Sequence, residues 1–290
     1  MAIDSIATLL SRTEESGLPL WEVILQEDLA EGQSSREDSL KQMTRLWEAM
    51  KESGDAYRPE ERSRSGLSGG DSAKVQAAME GGTLYGGCFF QEVIAQALRI
   101  SECNACMKRI VAAPTAGSCG VLPAVLLPLL RQGESEEEIL HALYVAAGFG
   151  EVIATRASIS GAEGGCQAEI GSASAMAAAA LTQLRGGTPA MCAHACAMAL
   201  SNLMGLVCDP VAGLVEVPCV HRNVVGAVNA LSCADMALSG VECRIPADEV
   251  IDAMARVGTE MDDSLRETGE GGLAATPTGK AIAERLAAEG

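Results

Sequence analysis

The chain has 290 residues, is 48% hydrophobic but only 3% aromatic, and carries a formal net charge of −18. That acidic excess excludes functions that need a basic surface, such as gripping a nucleic-acid backbone or docking on anionic lipid, and it suits a chain kept in solution by its own charge. Eleven cysteines, an odd count behind a start (MAIDSIATLLSRTEESG) with no basic n-region or cleavage site, argue against a disulfide framework and for a reducing cytoplasm.

Along the chain, the N-terminal part to about Tyr57 is charged and amphipathic. In SSREDSLKQMTRLWEAMKES, residues Leu40, Met43, Leu46, Trp47 and Met50 recur at helical spacing behind a Ser35–Asp38 cap. RPEERSRSGLSGGDSAK reads as a polar loop. Helices are then predicted for CFFQEVIAQALR and for SEEEILHALYVAAG, with Ser135 and Glu138 as a capping box and Gly148 near the end. QAEIGSASAMAAAALTQL, PAMCAHACAMALSNLMG and CVHRNVVGAVNALSCADMAL continue the series. PADEVIDAMARVG opens on Pro246 with acids in its first turn, and PTGKAIAERLAAE follows.

Two segments, Ile110–Leu130 and Pro189–Val207, are nearly uncharged and long enough to be considered as membrane spans. Pro114, Pro123, Pro128, Thr115, Gly117 and Ser118 in the first, and His194, Ser201 and Asn202 in the second, with no basic or aromatic flank, make them buried central helices instead. Alternating β-branched runs are nearly absent, and neither a Rossmann nor a P-loop pattern occurs. The expected fold is all-α. A single multi-helical domain is expected over 1–290, its first 60 residues less recognisable, with glycine-rich loops between the helices: Gly66–Gly70, Gly81–Gly87, Gly117–Gly120, Gly161–Gly165 and Gly269–Gly272. Such loops on a rigid scaffold are where chemistry is usually placed.

The cysteines divide by setting. Cys103 and Cys106 form a CxxC pair with no second pair to complete a zinc site. Cys192 and Cys196 are four apart on one helix face, with His194 on the other side, and read as small core residues, as do Cys88, Cys233 and Cys243. Cys166, Cys208 and Cys219 instead sit at glycine- or proline-marked breaks beside helix starts, where the helix end is expected to lower a thiol's pKa. Three such thiolates could hold three irons of a 4Fe-4S cube and leave the fourth open; three loop cysteines without a cluster is the alternative.

SGLSGGDSAK (Ser65–Lys74), AAPTAGSCGVLPA (Ala112–Ala124), ISGAEGGCQAEIGSASAMAAA (Ile159–Ala179), CDPVAGLVEVPCVHRN (Cys208–Asn223) and RETGEGGLAATPTG (Arg266–Gly279) closely resemble, in order, the iron–sulfur-dependent L-serine dehydratases, specifically the alpha chain of their two-subunit form. The resemblance runs from about Ser63 onward. It implies an all-helical enzyme that converts L-serine to pyruvate and ammonia with an oxygen-sensitive 4Fe-4S cluster and no pyridoxal phosphate. It implies cluster ligands at Cys166, Cys208 and Cys219, and a separate beta chain as partner. Single-chain relatives can cap the fourth iron with a C-terminal cysteine. No cysteine follows Cys243 here, so the fourth ligand is expected to be solvent, substrate or a group from the partner.

Dehydrating serine requires activation of the hydroxyl and removal of the α proton. The candidate bases are Lys74, if a desolvated cleft lowers its pKa, and His221, two residues past Cys219, which could instead orient the cluster loop. PTAGSCG, with Thr115 and Ser118, reads as a helix N-terminus for the substrate carboxylate or as a tight turn. Ser65, Arg222 and Asn223 are further substrate-binding candidates, the last two alternatively helix caps, and Glu163 and Glu169 flank Cys166. A related L-cysteine desulfidase, and a non-catalytic electron-transfer subunit, remain the alternatives; electron-transfer sites usually have complete cysteine ligation.

Overall fold

The computed structural model describes residues 3–32 and 34–289, and among them every regular element is helical. The N-terminal helices are α1 (Ile6–Ser16), α2 (Leu20–Gly32) and α3 (Arg36–Asp55). The Ser35 hydroxyl accepts from the Asp38 amide at the start of α3, as the capping pattern predicts. Next come α4 (Asp71–Glu80), α5 (Cys88–Ala105), α6 (Val121–Arg131) and α7 (Glu136–Arg156). A four-residue α8 (Gly161–Gly164) and a π-turn, Gln167–Gly171, lead into α9 (Ser172–Leu184). The last helices are α10 (Pro189–Asn202), α11 (Cys219–Leu238), α12 (Ala247–Glu260) and α13 (Pro277–Glu289).

α9 is the centre of the molecule. Almost all of it is buried, and it packs against α6, α7, α10 and α11. Its run Ala177–Ala180 has no accessible surface, because small side chains let helices approach closely without long residues to interleave. Polar staples tie this bundle together: Asn229 of α11 donates to Ser174 Oγ of α9 (2.9 Å) and to the Ala199 carbonyl of α10 (3.0 Å).

The first 60 residues share this core. Ile6, Leu9, Leu20, Ile24 and Trp47 are buried in the same apolar cluster as α7 and α9. The Asp248 carboxylate on α12 accepts from the Ile6 and Ala7 amides (2.8 and 3.0 Å), capping α1 across the molecule.

Three expectations need correction. The segment read as loop to Lys74 turns helical at Asp71, because the buried Glu102 carboxylate of α5 accepts from the Asp71 amide (2.6 Å) and caps α4 from outside. α7 runs past Gly148 to Arg156. Gly148 marks a helix crossing, where a methyl group on it would lie 2.7 Å from Ile24 of α2. The uncharged stretches are not continuous helices either. Ile110–Gly120 is irregular before the 11-residue α6, and α10 has 14 residues. Among the described residues, one helix, α7, is long and apolar enough to cross a membrane, and most of its apolar window is buried in the protein.

Candidate metal centre

Two pieces of irregular backbone and the first residue of α11 carry Cys166, Cys208 and Cys219 toward one another. Cys166 follows Gly165, whose φ of +75° turns the chain out of α8. Its strand of backbone is then pinned by Gln167: the amide donates to the Leu206 carbonyl (2.9 Å), the side chain accepts from the Gly205 amide (2.8 Å) and donates to the Met254 carbonyl (3.0 Å). Cys208 is held by a short parallel bridge to Arg266. Its amide donates to the Leu265 carbonyl (2.8 Å) and its carbonyl accepts from the Glu267 amide (2.7 Å). Glu267 takes a left-handed φ of 65° to make that bond, a conformation L-residues with side chains rarely adopt. Cys219 opens α11 behind Pro218.

The thiols act on one another: Cys166 and Cys219 each push up the Cys208 thiol. Burial is the main influence on all three. It pushes Cys166 and Cys219 up to about 12, and Cys208 up as well. The expected lowering by helix ends is therefore overturned, because lost hydration of the thiolate outweighs the helix end. Arg222 opposes the rise at Cys166, to which it hydrogen bonds. Deprotonation there needs a cation, and a bound metal supplies one. Soft thiolates suit iron–sulfur clusters. Among the described residues no three His, Cys, Asp or Glu side chains converge tightly enough for a single metal ion. A cluster makes no such demand, since each cysteine binds a different iron. The donor set fits the group.

Arg222, Asn223 and Ser65 build this centre rather than line it. Arg222 pairs with buried Asp209 (2.7 Å) and donates to the Val207 carbonyl (2.7 Å), so it grips both sides of Cys208. Asn223 accepts from the Gly120 amide (2.8 Å) and donates to the Gly117 and Cys219 carbonyls (2.7 and 2.9 Å), stapling PTAGSCG to α11. The Ser65 hydroxyl is taken up by Glu216 (2.8 Å), which also receives Ser63 (2.6 Å). Ser118 is fully buried and its hydroxyl lies 3.0 Å from that of Thr115; the tight-turn reading describes that loop better than the carboxylate-binding one.

Lys74 does not lie in a desolvated cleft: its side chain is 74% exposed and paired with Asp71. His221 is exposed on the first turn of α11. Glu163 is exposed and accepts from Ser158 (2.6 Å). Glu169 turns inward from the π-turn. Thr115 hydrogen bonds to it, burial pushes its carboxyl up, and its charge reaches all three thiols. Methyl groups on Gly117 and Gly161 would meet its oxygens at 3.2 and 3.0 Å, and the one on Gly161 would also lie 2.9 Å from the Cys208 sulfur.

Sequence reasoning missed the supports: Asp209, Glu216, Glu102 and Glu267. The available signal was position, because Asp209 and Glu216 are the acids between two candidate ligands in CDPVAGLVEVPC.

A family model described as the serine dehydratase alpha chain matches residues 15–274, so the likeness begins well before Ser63. A Bacillus subtilis (strain 168) protein named probable L-serine dehydratase, alpha chain, is 45% identical over 283 residues, covering 97% of this chain and 94% of its own length. A Latilactobacillus sakei protein of the same name is 56% identical over 192 residues, 66% of this chain and 92% of its own. The L-serine dehydratase alpha chain of Peptoniphilus asaccharolyticus is 38% identical over 291 residues, 99% of each.

Proposed function

Since this chain belongs to the serine dehydratase alpha-chain family and is thereby a lyase, we propose that it is the catalytic alpha chain of an L-serine ammonia-lyase. It would form pyruvate and ammonia, with Cys166, Cys208 and Cys219 holding a 4Fe-4S cluster. The observation that carries this reading is the convergence of those three thiols from three separate elements, on backbone pinned by Arg222, Gln167 and the Cys208–Arg266 bridge. Bound there, such a cluster supplies an open iron as a Lewis acid for the hydroxyl leaving group.

The chain's own residues then have three tasks. The ligand loops must keep their geometry, which falls to Arg222, Asn223 and Glu216. Water must be limited, which burial of Cys166 and Cys208 (2% and 3% exposed) serves. A base must take the α proton; Lys74 is exposed and paired with Asp71, which leaves His221, exposed on the first turn of α11, as the candidate for that task. The alpha-chain descriptions of the relatives support a beta chain as partner.

The test is to produce this chain with its beta chain, purify both without oxygen, and measure iron, acid-labile sulfide and pyruvate formed from L-serine. Pyruvate formation that depends on the cluster is expected. A cluster-bearing complex that releases sulfide from L-cysteine and leaves L-serine untouched would overturn the substrate.

A further inference from the structure

The Glu169 carboxylate is a charged group of the thiol centre to which the cluster reading gives no task. It is mostly buried, its hydrogen-bond partner is the neutral Thr115 hydroxyl, and the one charged group that shifts it is a second carboxylate, Glu267. It takes part in no ion pair among the described residues, whereas Cys166, Cys219 and Asp209 all have Arg222 beside them. A buried carboxylate without a positive neighbour is costly to keep. Two glycines lie against its oxygens, Gly117 of PTAGSCG and Gly161 of ISGAEGG, where a methyl group would stand tightly at 3.2 and 3.0 Å. The same methyl group on Gly161 would lie 2.9 Å from the Cys208 sulfur, so the position left by its missing side chain adjoins a proposed cluster ligand.

We propose that Glu169 receives the α-ammonium group of the amino-acid substrate, between Gly117 and Gly161. This rests on the serine reading above, which makes the substrate a zwitterion with one cation to place. The ammonium supplies the positive partner that the protein omits. Its position beside Cys208 leaves the substrate's hydroxyl and carboxylate free to face the metal. The two glycines thereby select for a ligand that carries its own cation, and the Thr115 hydroxyl hydrogen bonds to the same carboxylate.

The experiment uses two unreactive ligands that differ in the ammonium group, L-alanine and propionate, and measures their binding to the anaerobic holoenzyme by calorimetry. The unsubstituted enzyme should bind L-alanine more tightly than propionate. Glu169→Gln should weaken L-alanine at least about tenfold, the loss expected for truncating one partner of a buried charge pair. Propionate binding should stay within about twofold, and the visible absorbance of the cluster should be unchanged. Glu169→Asp, which keeps the charge but draws it back, should fall between. The proposal is overturned if the unsubstituted enzyme binds propionate as tightly as L-alanine, a result that needs no variant. It is equally overturned if Glu169→Gln weakens both ligands alike, or lowers only kcat with L-alanine binding unchanged. Turnover of L-serine by the unsubstituted enzyme, measured alongside, separates failure of this subsite from failure of the serine reading.

Discussion

Two groups of buried cysteines can be set side by side. Cys166, Cys208 and Cys219 form one; Cys192, Cys196 and Cys233, on α10 and α11, form the other. Neither burial nor acidity separates them. Cys192 and Cys196 are fully buried, and burial pushes Cys192 up to about 12, as it does Cys166. Proximity of thiols does not separate them either, since Cys192, Cys233 and Cys243 all act on Cys196. The difference lies in the backbone and in the company each group keeps. The second group sits on regular helices among alanines, where the carboxylate that acts on Cys196, Asp248, is already occupied in capping α1. The first sits on two turns and on the first residue of α11, held by side-chain bonds between segments far apart in the chain, beside an arginine and two carboxylates. The proposed ligand cysteines are thus distinguished by what immobilises them and by the charges built around them, and thiol burial is common to both groups.

The largest expected effect breaks this comparison directly. Cys166→Ala, Cys208→Ala or Cys219→Ala in the anaerobic complex should each abolish both the visible absorbance and pyruvate formation. Cys192→Ala and Cys196→Ala should keep both, at a cost of about 1 kcal/mol in stability for a lost buried sulfur. Equal loss of absorbance from a folded Cys196→Ala protein would erase the distinction.

A matched pair of asparagines sharpens it. Asn223→Ala removes three hydrogen bonds around Cys219 and Gly120, worth about 3 kcal/mol together, and should also lower iron content because it frees one ligand turn. Asn229→Ala removes the three bonds that tie α11 to Ser174 of α9 and to Ala199 and Asn202 of α10, worth about 3 kcal/mol together, and should lower the melting temperature with iron content unchanged. Thermal unfolding and iron assay on the same preparations decide it.

The smallest effect concerns Lys74. Its exposed pair with Asp71 contributes at most about 0.5 kcal/mol, so Lys74→Ala should leave stability and serine turnover near their original values. A large loss of kcat would return Lys74 to the role of base.

The sequence carried the helices where periodicity and caps agree, as at Ser35 and Ser135, whose hydroxyls accept the predicted amides. It misplaced those shaped by distant partners. α4 starts where Glu102 caps it from another helix, and Gly148 looked like an end because its contact with Ile24 is invisible locally. The same limit governs the site. Motif order singled out Cys166, Cys208 and Cys219. The roles of Asn223, Glu216 and Glu169 follow from contacts between segments far apart in the chain: Asn223 with Gly120, Glu216 with Ser63, Glu169 with Thr115. The direction of the thiol shifts was misread for a related reason, since helix starts are legible in sequence and depth of burial is not.

The central claim is that three cysteines of this chain hold a four-iron cluster and leave one iron open to the substrate. Mössbauer spectroscopy of the anaerobic complex, with the exchangeable iron isotopically labelled, tests it most directly. The account predicts that L-serine shifts the labelled iron's signal and leaves the other three nearly unchanged. Four equivalent irons that ignore L-serine, or a spectrum without a four-iron cluster, would contradict it.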